Sequence, residues 1–170
     1  MSGAIITGLF HVAIKTGDLA ATLHFYCDVI GLTQAPRPDF GFPGAWLAVP
    51  TPLGSAIVHI YAGGPAMGAD GEAPLGTGAI DHLSMTASGY HAFVERFRAE
   101  GLDWREFLIP GTTLWQLFVH DPNGVMLELT FEGRAEVGPG PDLSEARRYR
   151  AGEAFFTPPK SSFTPPRSSP

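Results

Sequence analysis

The chain has 170 residues, of which 44% are hydrophobic, and it carries a formal net charge of −6 with only 11 Lys and Arg residues. Its length is typical of one globular domain, and its apolar content is sufficient for a buried core. An acidic chain with so few cations argues against nucleic-acid binding, and no segment approaches the ~20 consecutive apolar residues of a membrane-spanning helix.

The first segment predicts a strand followed by a helix. Residues 9–14 alternate in polarity as a half-buried strand does, and His11 lies on the less apolar face. Asp18 is a typical N-cap residue, and Gly31 permits the left-handed conformation that ends many helices. Apolar residues recur at helical spacing between them, at Leu19, Leu23, Tyr26 and Ile30. We therefore predict an amphipathic helix from Asp18 to Gly31.

Two further strands and a linker complete the first half. Residues 36–44 contain three prolines and two glycines, which predicts a loop. Residues 45–49 and 55–61 are typical of short strands, and the second of these contains His59. Residues 62–78 carry six glycines and two prolines, so we predict a linker between two halves.

The second half repeats this plan. Residues 80–86 alternate as a strand that contains His82, and Ser88 is positioned to cap a helix that ends at Gly101. The Asp-Pro-Asn-Gly sequence at 121–124 predicts a tight turn, because Pro fixes φ and Gly tolerates positive φ. The strands predicted after the helix are 104–108, 115–120 and 125–131.

The repeat places potential metal ligands at matching positions. His59 follows His11 by 48 positions, and Glu128 follows His82 by 46. Glu128 lies among apolar residues, where a carboxylate is costly to bury unless it is paired or holds a metal. Three imidazoles and one carboxylate suit a zinc, iron, nickel or manganese ion. We therefore predict that these four residues meet at one metal ion.

The order of elements resembles the vicinal oxygen chelate superfamily, which includes glyoxalase I, extradiol dioxygenases and bleomycin resistance proteins. The resemblance is carried by the Phe-Tyr and Ile-Gly-Leu sequences within 25–32 and by the turn at 121–124 that leads to Leu-Glu-Leu. It covers about residues 7–132. It implies an α+β fold in which two tandem βαβββ modules form a cup-shaped mixed sheet around a divalent metal, in a homodimer. The ligand positions it implies are His11, His59, His82 and Glu128.

The predicted domain organisation follows from this repeat. We expect a single domain at 1–132, with a first module at about 7–62, a linker at 62–78 and a second module at about 79–132. A Gly- and Pro-rich extension then occupies 133–170.

The extension ends in a tandem repeat. Residues 144–150 are compatible with a short helix, and Phe-Thr-Pro-Pro-(Lys/Arg)-Ser-Ser occurs twice, beginning at Phe156 and Phe163. Paired prolines favour polyproline II, which does not fold alone. We expect either a tail without fixed structure, or a tail whose Phe155, Phe156 and Phe163 dock on the partner subunit or across the mouth of the cup.

The resemblance implies an enzyme, and His59 decides which kind. If His59 is a ligand, two free metal positions suit a glyoxalase-like lyase or isomerase that acts on vicinal oxygens through an enediolate, with Glu128 and His59 as catalytic groups. If His59 stands off the metal, three free positions suit an Fe(II)-dependent extradiol-type dioxygenase. A metal-free resistance-type protein that binds a small molecule is the non-enzyme alternative.

The remaining expectations concern the substrate and the compartment. We expect a small-molecule substrate and neither a nucleic-acid nor a membrane partner. Cys27 is the only cysteine and the N-terminus lacks the basic segment of a signal peptide, which favours a cytoplasmic protein. Aromatic residues at strand spacing form either a substrate pocket or core: Phe40, Phe42, Trp46, Tyr61, Trp104 and Trp115.

Overall fold

The computed structural model describes residue 4 and residues 8–50 and 55–158. Each half of the chain forms a helix and a four-stranded mixed sheet, which confirms the α+β class and the paired βαβββ modules. The first module contains β1 (Val12–Lys15), α1 (Leu19–His24), β2 (Thr33–Ala35), β3 (Gly44–Ala48) and β4 (Ala56–Tyr61). The second contains β5 (Leu83–Thr86), α2 (Tyr90–Ala99), β6 (Trp104–Leu108), β7 (Leu114–His120) and β8 (Met126–Glu132).

The two sheets share one topology. Their strand orders are β1-β4-β3-β2 and β5-β8-β7-β6, and the first and last strands of each module pair in parallel. In the first sheet Ala13 lies opposite His59, and in the second Ser84 lies opposite Glu128. Each module therefore brings the start of its first strand beside a ligand-type residue on its last strand.

The first helix follows the predicted signals, whereas the second does not. The Asp18 side chain accepts a hydrogen bond from the amide of Ala21 at 2.9 Å, and α1 continues as a π-helical segment over Phe25–Val29. Ser88 is not the cap of α2, so that prediction is wrong. The Glu136 carboxylate instead accepts hydrogen bonds from the amides of Gly89 and Tyr90, each at 2.9 Å.

The core lies between the sheets and the helices. Side chains alternate along a strand, so the fully buried residues of β4 and β8 leave His59 and Glu128 on the opposite face of their sheets. Neither helix in the described ranges has the length and apolar content to cross a bilayer. The largest core side chains with under 2% exposure include Leu47, Val58, Ile60, Leu127, Leu129, Phe131, Tyr26 and Phe97.

The turn before β8 joins the modules. Asp121 is 1% exposed and accepts hydrogen bonds from the amides of Asn123 and Val125, both at 2.8 Å. The Tyr26 hydroxyl donates to Asp121 at 3.1 Å, and the Asn123 side chain donates to Thr22 at 3.1 Å. Burial raises the pKa of Asp121, and its hydrogen bonds oppose that shift. The predicted turn is therefore also a contact between the modules.

The described part of the extension packs against the second sheet. Residues 144–150 form no helix: a turn at Ser144 leads into a short parallel bridge between Arg148 and Glu106. Phe155 and Phe156 then pack around His120, with ring centroids 4.4 and 5.1 Å away. Phe163 and the second copy of the repeat lie outside the described residues.

Candidate metal centre

His11 and His59 form the first of two pairs. Their rings stack at 3.8 Å between centroids, and Trp46 covers the other face of His59 at 4.4 Å. Burial, with a smaller effect from His11, lowers the pKa of His59, so its imidazole is neutral at pH 7. Nδ1 of His11 is buried and has no hydrogen-bond partner. A buried nitrogen without a partner fits the donor atom of a metal ligand, but the stacked rings lie in nearly parallel planes, so the two imidazoles would have to reorient to share one ion.

His82 and Glu128 form the second pair. Nε2 of His82 lies 3.2 Å from Oε2 of Glu128, and Nδ1 of His82 lies 2.8 Å from Oδ1 of Asp81. The other oxygen of Glu128 accepts hydrogen bonds from the hydroxyls of Ser84 at 2.6 Å and Thr130 at 2.8 Å. One carboxylate oxygen of Glu128 is therefore held by the protein, and the other faces the imidazole.

This second pair has the chemistry of a cation site. Nδ1–H of His82 can donate a hydrogen bond to Asp81. The lone pair of Nε2 then faces the Glu128 carboxylate, which is unfavourable unless a proton or a cation lies between them. Two donors about 2.1 Å from one ion, at tetrahedral or octahedral angles, lie about 3.0–3.4 Å apart. The observed separation of 3.2 Å falls in that range. A carboxylate on the far nitrogen of a metal-binding histidine is also the usual way to orient it.

The two pairs remain separate within one chain. In the part of the chain that the structure describes, no group of three or more His, Cys, Asp or Glu side chains lies close enough to hold one ion. The sequence predicts that His11, His59, His82 and Glu128 meet at one ion. The structure of a single chain pairs them by module instead.

Sequence reasoning missed the groups that support the second pair. Ser84 and Thr130 were detectable in principle, because strand alternation places Thr130 on the same face as Glu128, and Ser84 is its partner across the parallel ladder. Asp81 directly precedes His82, yet adjacency alone does not predict a hydrogen bond.

An aromatic pocket adjoins the first pair. A cavity of about 310 Å³ contains His59 and Lys15 among its lining residues, while another of about 300 Å³ along the edge of β1 contains none of the four predicted ligands. The Arg37 guanidinium lies 4.8 Å from the ring centroids of Phe40 and Phe42, and its Nη2 is buried without a partner. The other lining residues are Phe40, Phe42, Trp46, Tyr61 and Pro65.

Trp104 and Trp115 do not line this pocket. Trp104 is buried and donates from its indole nitrogen to Glu106 at 2.9 Å, and Trp115 packs against the core. Of the six aromatic residues considered from the sequence, the four in the first module therefore surround the cavity beside His59. These two tryptophans pack in or against the core of the second module.

The chain belongs to the Glyoxalase/Bleomycin resistance protein/Dioxygenase superfamily, whose family model matches residues 8–129. It is 26% identical over 128 residues to "Glyoxylase I 4" of Arabidopsis thaliana, covering 73% of this chain and 70% of that protein. It is 28% identical over 127 residues to "Probable lactoylglutathione lyase" of Synechocystis sp., covering 71% and 92%. The solved structure of lactoylglutathione lyase from Agrobacterium tumefaciens superposes with a TM-score of 0.54 at 18% identity, covering 76% of this chain and 96% of that one.

Proposed function

We propose that this protein is a metal-dependent, glyoxalase-like lyase or isomerase that acts on a small substrate with two adjacent oxygens. The observation that carries the proposal is the His82–Glu128 pair, whose facing nitrogen and oxygen lie 3.2 Å apart while their outer atoms are held by Asp81, Ser84 and Thr130. Relatives named as glyoxalase I and lactoylglutathione lyase support the class of reaction.

We propose further that the complete metal centre is shared between two copies of the chain. Each module supplies only two ligands, and the described residues of one chain do not bring three together. In a symmetric dimer, the His11–His59 pair of one copy can face the His82–Glu128 pair of its partner, so that two equivalent centres form.

Two of the four ligands are suited to move protons. A bound divalent ion, such as Fe²⁺, Zn²⁺, Ni²⁺ or Mn²⁺, would chelate the adjacent oxygens and stabilise the negative charge of an enediolate. Glu128 keeps Oε1 fixed by two hydroxyl donors, so Oε2, which would donate to the ion, is the oxygen that can take up the substrate proton once it leaves the ion. His59 could take part in proton transfer only while its nitrogen is off the ion, accepting the second proton and then returning it.

The pocket beside His59 supports an apolar or aromatic group on the substrate. Its walls are mainly ring faces and edges, which favour a planar apolar group. Lys15 lines the pocket and Arg37 lies against the rings of Phe40 and Phe42 that also line it, so an anionic substituent is favoured over a cationic one.

The proposed reaction can be tested through proton exchange. Metal-stripped protein reloaded with Ni²⁺ or Zn²⁺ is incubated without oxygen in D₂O with α-hydroxycarbonyl compounds and hemithioacetals. We expect deuterium to enter next to the carbonyl, and Glu128→Gln to slow exchange about 100-fold or more, because a metal donor and the base are lost together. Glu145→Gln, the same substitution at an exposed position, is the matched control.

Other outcomes would assign the alternatives. Oxygen uptake with catechols after Fe²⁺ loading, without proton exchange, would identify an extradiol-type dioxygenase. A protein that binds no stoichiometric metal, yet retains ligand binding in His82→Ala, would be a metal-free binding protein.

A further inference from the structure

The extension crosses the second sheet on a fixed path, although it lies beyond the residues that the family model matches. The amide of Glu106 donates to the carbonyl of Arg147 at 2.7 Å, and the amide of Tyr149 donates back to the carbonyl of Glu106 at 2.9 Å. The buried Glu106 carboxylate also accepts from the amide of Asp142 at 2.6 Å. These bonds add a short strand-like segment beside β6 at the edge of the second sheet. The segment places Tyr149 over that sheet.

Tyr149 is held at the second ligand pair. Its ring stacks on Phe118 at 3.7 Å between centroids with 7° between the planes. The rings of Phe118 and His82 are in turn perpendicular, with their centroids 5.7 Å apart. The Tyr149 hydroxyl donates to Oδ1 of Asp81 at 3.2 Å. Burial and the neighbouring Asp81 raise the pKa of Tyr149, so the hydroxyl remains a donor at neutral pH.

These contacts join into one chain of hydrogen bonds. Oδ1 of Asp81 receives both the Tyr149 hydroxyl at 3.2 Å and Nδ1 of His82 at 2.8 Å. The Asp81 side chain is 58% exposed, so without a second partner it is free to rotate into water. Tyr149 therefore reduces the conformations open to Asp81 and favours the one that directs Nε2 of His82 toward Glu128.

We propose that Tyr149, supplied by the C-terminal extension, is a positioning residue of the metal centre that acts through Asp81 on His82. The inference rests on the proposed function, because it takes His82 and Glu128 as ligands. The extension then contributes a residue to the site. A chain truncated before residue 142 keeps both modules but loses the hydrogen bond from Tyr149 to Asp81.

Metal affinity tests the proposal directly. Zn²⁺ is titrated into metal-stripped full-length protein, its Tyr149→Phe and Asp81→Ala variants, and the double variant. We expect Tyr149→Phe to weaken binding about 3–10-fold and Asp81→Ala about 10–100-fold. The double variant should bind like Asp81→Ala alone, because the hydroxyl has no route to His82 without the carboxylate. Glu145→Gln, on the exposed side of the same extension, should bind like the wild type.

The results separate positioning from folding. Tyr149→Phe keeps the ring on Phe118, so its unfolding midpoint should stay within about 2 °C of the wild type. Unchanged affinity in Tyr149→Phe, or losses that multiply in the double variant, would overturn the proposal.

A second readout needs no metal. The ¹⁵N–¹H spectrum of His82 in stripped protein should show an Nδ1–H signal with the downfield shift of a hydrogen bond to a carboxylate, and that shift should decrease in Tyr149→Phe. If the wild type binds no Zn²⁺, the proposed metal centre fails. The change in the Nδ1–H signal would then still show whether Tyr149 positions His82, and an unchanged spectrum would reject that role as well.

Discussion

His24 connects the two modules through exposed charges. Its Nε2 lies 3.0 Å from Glu100 at the end of α2, and its Nδ1 lies 2.9 Å from Asp28. The hydrogen bond to Glu100, followed by that to Asp28, raises the pKa of His24 above 6.5. A raised pKa means that the folded state binds the proton more tightly, so this stabilisation is present below pH ~6.5 and is lost as the pH rises through the folded-state pKa.

His24→Gln should therefore lower stability in a pH-dependent way. We expect its urea midpoint to lie below that of the wild type at pH 5.5 and to coincide with it at pH 9. The measurement is a pair of urea unfolding curves at each pH. A difference that persists unchanged at pH 9 would show that packing, rather than charge, accounts for the effect.

Among single residues, the sequence points to the candidate ligands more readily than to the residues that hydrogen-bond to them. His11, His59, His82 and Glu128 are detectable because a duplicated pattern repeats chemistry at a fixed spacing. The contact between Asp81 and Tyr149 spans 68 positions and depends on how the extension folds back. Neither periodicity nor local composition contains that information.

At the scale of elements, β6 anchors the extension through one buried carboxylate. Glu106 is 5% exposed and accepts hydrogen bonds from the Tyr90 hydroxyl, from the Trp104 indole at 2.9 Å and from the amide of Asp142 at 2.6 Å. Three donors satisfy the carboxylate, so it can stay buried. Its removal leaves two buried side-chain donors unpaired.

Glu106→Ala should destabilise the protein by about 3 kcal/mol, because each unpaired buried donor costs about 1–3 kcal/mol. It should also free the extension, so that limited proteolysis cuts after Arg147, Arg148 or Arg150 before the modules are degraded. Chemical denaturation and mass spectrometry of the early fragments check both effects. Equal stability, or cleavage no faster than in the wild type, would contradict the anchoring role.

Element boundaries show where local signals suffice. The helix between Asp18 and Gly31 was predictable, because its cap, its apolar spacing and its terminal glycine are all local. The cap of α2 was not, because Glu136 reaches it from outside both modules. The short segment 144–150 likewise follows the edge of β6 instead of its own helical propensity.

For the whole molecule, the proposed sharing of a metal centre between two copies predicts complementation between inactive chains. His11→Ala/His59→Ala removes one half of the centre, and His82→Ala/Glu128→Gln removes the other. In a mixed dimer one centre loses both halves and the other keeps both. Equal amounts, dissociated and reassembled together, should recover about a quarter of the wild-type activity. Native mass spectrometry verifies the mixed dimers, and mixed dimers without activity would place the centre within one chain.

Metal stoichiometry is the decisive test of whether His11, His59, His82 and Glu128 hold one divalent ion. Metal-stripped protein is titrated with Zn²⁺ and the bound metal per chain is measured for the wild type, His11→Ala, His82→Ala and the control His24→Ala. We expect one ion per chain in the wild type and the control. Each ligand variant should bind at least about 100-fold more weakly, because a tetradentate site loses a donor. A wild type without stoichiometric metal, or a His11→Ala variant with wild-type affinity, would show that these four residues do not form one metal site.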